Sequence, residues 1–245
     1  MKNILEYIGN VTLFIKDVVF TLPKIHKSIH LIIEQVYFVG IGSLLIVIVT
    51  TFFCGAVTAY QAAFQGKDYL PDVYIGMAVI KGFMIELGPL LTAIIVSGRC
   101  GSAIAAEIGA MRITEQIDAL ETLGIEPVRY LVLPRIVGSA IALPLLTIVA
   151  ELSACIGGGF CAVLLMNIKL TTYIEGLQFH FMQHELFGGL VKAFVFGILM
   201  GLMSTYYGFK TTGGSEGVSK STTQSVVSIL ILIIIFDFIL ARILF

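Results

Sequence analysis

Apolar residues run along this chain in blocks too long for a water-soluble helix. No charged residue occurs from Gln35 to Gly66. Gly76–Ser97 is interrupted only by Lys81 and Glu86, Ile136–Ile168 by Glu151, Leu186–Phe209 by Lys192, and Ser221–Ala241 by Asp237. A helix of about 20 apolar residues crosses a hydrocarbon core about 30 Å thick. The pattern therefore predicts five spans, near 39–64, 76–97, 136–166, 186–209 and 222–243. Lipid offers no partner to an open backbone amide, and the run lengths are those of helices, so the expected fold is all-α and integral to the membrane.

The first 35 residues follow another rule. Ile4, Ile8, Val11, Ile15, Val18 and Leu22 recur at steps of three and four, with Lys2, Glu6, Asn10 and Asp17 between them. That spacing predicts an amphipathic helix, either lying in the interface or packed on the first span. The expected organisation is an interfacial helix and linker over 1–35, followed by a membrane domain over 36–245.

The segment 99–135 is too polar to be a span and too patterned to be a plain connector, since most connections run to about six residues. From Ser102 a helical pattern continues to Gly124, with Pro127 beyond it. Ile113, Ile117, Leu120 and Gly124 share one face and Glu115, Asp118 and Glu121 another. A two-faced helix between two spans suits a docking element for a partner in solution, with a solvated surface helix as the bland alternative.

Composition closes off other classes. Hydrophobic residues make up 58% and charged residues 13%, and mean hydropathy is +0.99. An ordinary soluble domain carries about 25% charge. A net charge of −1 gives no basic field for nucleic acid. Cys54, Cys100, Cys155 and Cys161 form no CxxC pair and are expected to act as small hydrophobes. The first twenty residues show no signal-peptide pattern, so the N-terminus is expected to be retained and cytoplasmic. With the N-terminus inside, Lys2, Lys16, Lys24, Lys27, Arg99, Arg112, Arg129, Arg135, Lys210 and Lys220 fall on the cytoplasmic side, ten of the fifteen basic residues. The C-terminus is then periplasmic.

Charges at bilayer depth are the candidate chemistry. Glu86, followed by Gly88 and Pro89, is expected to line a substrate cavity, because a membrane carboxylate normally faces a cavity or a partner. Glu151 and Asp237 raise the same question. Lys81 and Lys192 are expected to snorkel to the outer interface. Ala150, Ala154, Gly158 and Ala162, and the Gly197/Gly201 pair, provide close-packing stripes within one subunit or between two. His26 with His30, and His180 with His184 beside Glu185, have the i, i+4 spacing of a metal pair without an evident third ligand; no metal site is expected. Gly214-Ser-Glu-Gly-Val-Ser-Lys220-Ser221 imitates a P-loop, but Ser219 replaces the second glycine and no strand precedes it. No catalytic constellation is present, so neither enzyme chemistry nor a bound cofactor is expected.

Glu86-Leu-Gly-Pro89, Thr92, Gly98-Arg99, Gly101-Ser-Ala103, Ala106-Glu-Ile-Gly-Ala-Met111, Glu115-Gln-Ile-Asp-Ala-Leu120, Gly124, Pro127, Pro134-Arg135 and Pro144-Leu-Leu146 together resemble the permease subunit of MlaE-type ABC transporters. A weaker block comprises Gly208-Phe209, Gly213-Gly214, Gly217-Val218 and Asp237-Phe238. The likeness runs from about residue 36 to the C-terminus.

This resemblance implies a homodimer working with a separate cytoplasmic ATPase dimer, which binds the ATP and Mg. It also implies an outer-side MCE-domain lipid-binding protein. The substrate would be phospholipid or a related lipid, moved between the inner membrane and the outer envelope. Glu107–Glu121 would be the coupling helix, with Glu107, Met111, Arg112, Glu115, Gln116 and Asp118 meeting the ATPase, and Glu86 would lie at the base of a lipid cavity. Phe52, Phe53, Thr58, Tyr60, Gln61 and Tyr69, on the outer half of the first span and its exit, are the remaining cavity candidates. The rival expectation is a proton-coupled secondary transporter using Glu86, Glu151 and Asp237 as a relay; the inverted repeats usual in that class are not visible.

Overall fold

The computed structural model describes residues 2–66 and 70–245, with side chains described from residue 9 onward apart from 24, 26 and 27. Helices account for nearly all of it, and no strand occurs among the described residues. α1 spans Lys2–Thr21. A 3-10 stretch, Leu22–Ser28, turns the chain into α2, Ile29–Gly66. α2 has 38 residues. At 1.5 Å per residue it is about 57 Å long and must project beyond the hydrocarbon layer. It thus begins at Ile29, well before the expected 39.

The second span is one continuous helical path from Val73 to Ile113. It is built of α3 (Val73–Gly82), α4 (Gly88–Val96) and α5 (Ser102–Ile113), joined by wide turns at Phe83–Leu87 and Ser97–Gly101. The first wide turn has a local cause. Pro89 has no N–H to give, and Gly88 N–H bonds back to Phe83 O, leaving the helix under-wound there. α6 is Gln116–Thr122. A wide turn at Val128–Val132 leads into α7, Leu133–Leu164. α8 (Leu170–Phe179), α9 (Gln183–Phe209) and α10 (Gly214–Leu244) complete the chain. Among the described residues, five helical segments are long and apolar enough to cross a membrane, in agreement with the pattern.

Small residues set the packing. Val39, Ser43, Val47, Thr51, Gly55 and Ala59 lie four apart on α2 and are buried. They face α7, where Ala150, Ala154, Gly158 and Ala162 are buried in their turn. The approach is backbone to backbone: a Cβ on Gly55 would overlap Ala154, and one on Gly157 would overlap Phe52. Gly197 and Gly201 of α9 do the same against Ser139, Ala140 and Ile136 of α7. Both stripes are therefore consumed within the subunit, and α7 is its central post. Close backbone approach maximises dispersion contacts where lipid supplies no hydrophobic drive.

α8 has no counterpart in the sequence pattern. Tyr173 anchors it, 2% exposed, with its hydroxyl donating to Cys155 O at 2.9 Å. Burial, with smaller contributions from Cys155 and Cys161, pushes this phenol above its ordinary value of 10.0. α1 packs through Val18 on Val132 and Ile136, and through Phe14 on Tyr206 and Phe209 of α9, with ring centroids 5.6 and 6.0 Å apart.

Candidate functional site

The wide turn before Pro89 presents Glu86 to α9. Lys192 of α9 donates to Glu86 Oε2 at 2.7 Å, and its Nζ lies 2.9 Å from Asp237 Oδ1 of α10. Three segments far apart in sequence thus supply one cation and two carboxylates. Lys192 is 0% exposed, whereas the Glu86 side chain is 39% exposed at the rim. The expectation that Lys192 snorkels to an interface is wrong. A lone ammonium inside the bundle would cost several kcal/mol, and two carboxylates at contact distance remove that cost more fully than a bent stem could. The C-terminal ring of Phe245 closes the cluster, 5.7 Å from Lys192 Nζ, and a Cβ on Gly188 would strike that ring. Lys81 is not free either: it is ion-paired with Glu185 of α9.

Glu151 stays outside this cluster. It is 7% exposed on α7 and lies against Gly88, and its Oε1 has no hydrogen-bond partner among the described residues.

The other cavity candidates are dispersed along α2. Phe52 packs on Phe160 at 5.8 Å and edge-on to Phe53 at 5.5 Å. Thr58 bonds within its own helix, to Cys54 O at 2.8 Å. Phe53 and Tyr60 are exposed, 62% and 53%, and Gln61 is exposed beside them. Tyr69 lies outside the described residues. At the α8 end a cavity of about 780 Å³ opens between the end of α2, the start of α3 and residues 165–168. Of the six candidates among the described residues, Tyr60 alone lines it; Gln65, Asp72 and Tyr74 add polar groups. The structure does not gather Glu86 into that cavity.

The opposite end of the second span carries the two-faced arm. The expected unbroken helix to Gly124 is in fact two helices. Thr114 ends α5, and Glu115 takes a left-handed φ of 58° before α6 starts. Arg112 bridges the bend to Asp118 at 2.5 Å. Gly124, with φ 74°, terminates α6: its N–H bonds to Glu121 O at 2.9 Å and that of Ile125 to Leu120 O at 3.0 Å, a Schellman closure that needs a left-handed residue. Ile117 is buried with Ile104, Ile108 and Leu131, and Met111 packs on that cluster. Glu115, Gln116 and Asp118 remain exposed. Glu107 is tied to Arg135 at the base of α7 at 2.9 Å. Of the six expected partner-facing residues, Met111 and Glu107 thus have work inside the subunit. Arg99 is held by α2, donating to Ser43 Oγ at 3.1 Å and lying 5.7 Å from the Phe38 ring.

No group of three metal-ligating side chains is gathered among the described residues. His30 pairs with Glu34 at 3.3 Å, His180 meets Gly176 O at 3.1 Å, and His26 lies outside the described side chains. The P-loop-like stretch is the start of α10, entered through Gly213 and Gly214 at positive φ.

The buried charge that sequence reasoning misplaced is Lys192. The available signal was that three spans hold charges of suitable sign, Lys192 and Asp237 each alone in its span and Glu86 with Lys81; which of them meet is a matter of helix rotation and depth, invisible to periodicity.

Comparison with known proteins follows the same outline. The family model described as Permease MlaE matches residues 32–243. A "Probable ABC transporter permease protein" of Rickettsia felis is 36% identical over 98% of this chain and 93% of its own length. A protein of the same description from Synechocystis is 38% identical over 87% of this chain and 81% of its own. The "Intermembrane phospholipid transport system permease protein MlaE" of Haemophilus influenzae is 31% identical over 91% and 86%.

Proposed function

The chain belongs to the MlaE permease family and is an ABC transporter permease, a multi-pass membrane protein, and from that premise we propose that it moves phospholipid or a related lipid between the inner membrane and the outer envelope. The observation carrying this reading is the exposed helix α6, which continues through the bend at Glu115 from the α5 end of the second span, itself tied to α7 through Glu107 and Arg135. An arm so fixed transmits a push from a soluble partner into the bundle. That partner is a separate cytoplasmic ATPase dimer, which binds the ATP and Mg; Arg112, Glu115, Gln116 and Asp118 are its contact points on this chain. The phospholipid relative from Haemophilus influenzae supports the substrate class.

Two copies form the transporter. α2 leaves Leu45, Phe53, Tyr60 and Phe64 exposed and α10 leaves Ile234 and Phe238, and these apolar faces are available to the second copy and to acyl chains. Glu86, with its exposed rim and its buried Lys192 and Asp237 supports, offers one polar anchor beside apolar walls, which suits an amphiphile. An outer-side MCE-domain protein takes over the lipid. The excess of Lys and Arg around α6 and the α9–α10 turn supports a cytoplasmic assignment for that end, with the N-terminus on the same side and the C-terminus in the periplasm. The protein then sits in the bacterial inner membrane.

The test is affinity purification from native membranes in mild detergent, with co-purifying proteins and lipids identified by mass spectrometry. An ATPase carrying a Walker motif together with phospholipid is the expected result. A chain that purifies with neither overturns the reading.

A further inference from the structure

Where α9 turns into α10, two cavities meet end to end. One, of about 580 Å³, is lined by Lys210, Lys220, Thr212, Ser221, Gln224 and Ser228 among others. The second, of about 390 Å³, is lined by Val11 and Thr12 of α1, Met203 of α9 and Ile231 and Leu232 of α10. Tyr207 and Ser228 belong to both, hydrogen-bonded to each other at 2.7 Å, and form the common wall. Among the described residues, no carboxylate lines either cavity. Glu216, four residues before Lys220, is absent from both linings, and Lys220 has no ion-pair partner among the described residues. Lys210 is held over the Tyr206 ring, 5.4 Å from its centroid, with its Nζ 3.2 Å from the Tyr206 hydroxyl.

The order of these linings along α10 is informative. From Lys220 to Leu232 the helix rises about 18 Å. Over that rise the lining passes from ammonium and hydroxyl groups to purely aliphatic ones. A phospholipid in a leaflet has the same gradient: charged phosphate at the interface, ester groups below it, then acyl chain. Lys210 also borders a third cavity, of about 260 Å³, that Asp17 and Tyr206 line, so the cation facing no lining acid among the described residues is Lys220; with Lys210 beside it, it favours an anionic headgroup over a zwitterionic one, and hydroxyls and an amide supply donors for phosphate and glycerol oxygens.

We infer that the groove between α1, α9 and α10 binds one anionic glycerophospholipid of the adjoining leaflet, with its headgroup between Lys210 and Lys220 and an acyl chain on Met203, Ile231 and Leu232. This site is separate from the Glu86 cluster, which lies toward the other end of α9 and α10. Its occupant is a resident lipid that ties the interfacial helix to the last two spans. The P-loop-like spacing in the sequence acquires a physical sense here: the lysine and hydroxyls that imitate a nucleotide site face a membrane phosphate.

The experiment uses the purified permease in its native complex, delipidated and titrated with phosphatidylglycerol or phosphatidylcholine, with bound lipid counted by native mass spectrometry and no ATP present. The expected result is preferential retention of phosphatidylglycerol. The Lys210→Gln/Lys220→Gln double variant should lower that retention about tenfold, and Ile231→Trp should lower it by filling the apolar limb. Lys169→Gln, at the far end of the bundle, should leave it unchanged. Equal retention of both lipids, or unchanged retention in the double variant or in Ile231→Trp, overturns the proposal. Displacement of the lipid by inorganic phosphate at equal concentration also overturns it, in favour of a site for free anions. Because transport is not read, failure here leaves the transport reading to its own test.

Discussion

Arg135, with 6% of its side chain exposed, pairs at 2.9 Å with Glu107, whose side chain is 58% exposed. The pair joins α5, the end of the second span, to the first turn of α7, the helix against which α2 and α9 pack. Arg135 also donates to Leu131 O at 2.8 Å in the preceding wide turn. A displacement of α5 therefore bears on α7 through a short ion pair, buried on the Arg135 side, rather than through a flexible loop.

Removing either end of that linkage has unequal consequences. Arg135→Ala leaves only an exposed carboxylate, whereas Glu107→Ala leaves a buried guanidinium without its counter-charge. Glu107→Ala is expected to lower stability by about 2 kcal/mol, below the range of about 3–5 kcal/mol for fully buried pairs because Glu107 is half in water. The double variant should be less destabilised than the sum of the singles. Denaturant unfolding in detergent micelles checks this, and strict additivity would show the two side chains to be uncoupled.

Lys192 stands in a tighter balance. Lys192→Met leaves Glu86 and Asp237 facing one another without a cation and should cost about 3–5 kcal/mol. Adding Glu86→Gln and Asp237→Asn removes the repulsion and should restore most of the folded population. Lipid transfer should remain lost in the triple variant, because the anchor at Glu86 is gone. A triple variant that both folds and transports would show the cluster to be structural only.

Glycine substitutions separate close packing from mere helix content. Gly55→Leu would drive a side chain into the Ala154 backbone and should prevent a stable fold. At Gly82 a Cβ would make only ordinary contact with Leu87 at 3.8 Å, so Gly82→Ala should be tolerated or slightly stabilising. Yields of monodisperse protein by size-exclusion chromatography distinguish the two; equal behaviour would refute the α2–α7 contact.

Tyr173 adds a pH-dependent term. Its phenol is neutral and raised above its ordinary 10.0 by burial, so its contribution to folding is complete below pH 10 and declines as pH rises beyond that value. Tyr173→Phe should cost about 1 kcal/mol at pH 7 through the lost bond to Cys155 O. The same variant should flatten the alkaline loss of stability above pH 10. Parallel alkaline profiles for wild type and variant would contradict the assignment.

Spans, their number and the arm were legible from charge spacing because the bilayer imposes a length and forbids unpaired backbone, constraints that act on local sequence. The amphipathic character of α1 and the stop at Gly124 were legible for similar local reasons: a helical period and a left-handed closure. Other features depended on tertiary structure. The bend at Glu115 interrupts a pattern that by itself continues, because Ile117 turns in toward Ile104 and Leu131. α8 carries no span-like signal and exists as a packed element through Tyr173. Glu86, Lys192 and Asp237 each stood out as a charge within an apolar span, but only the packing of three helices decided that Lys192 would sit between two carboxylates instead of reaching for water. Sequence sets what each segment can do in lipid; which charges meet depends on helix depth and rotation, and those are settled by where small residues let backbones touch.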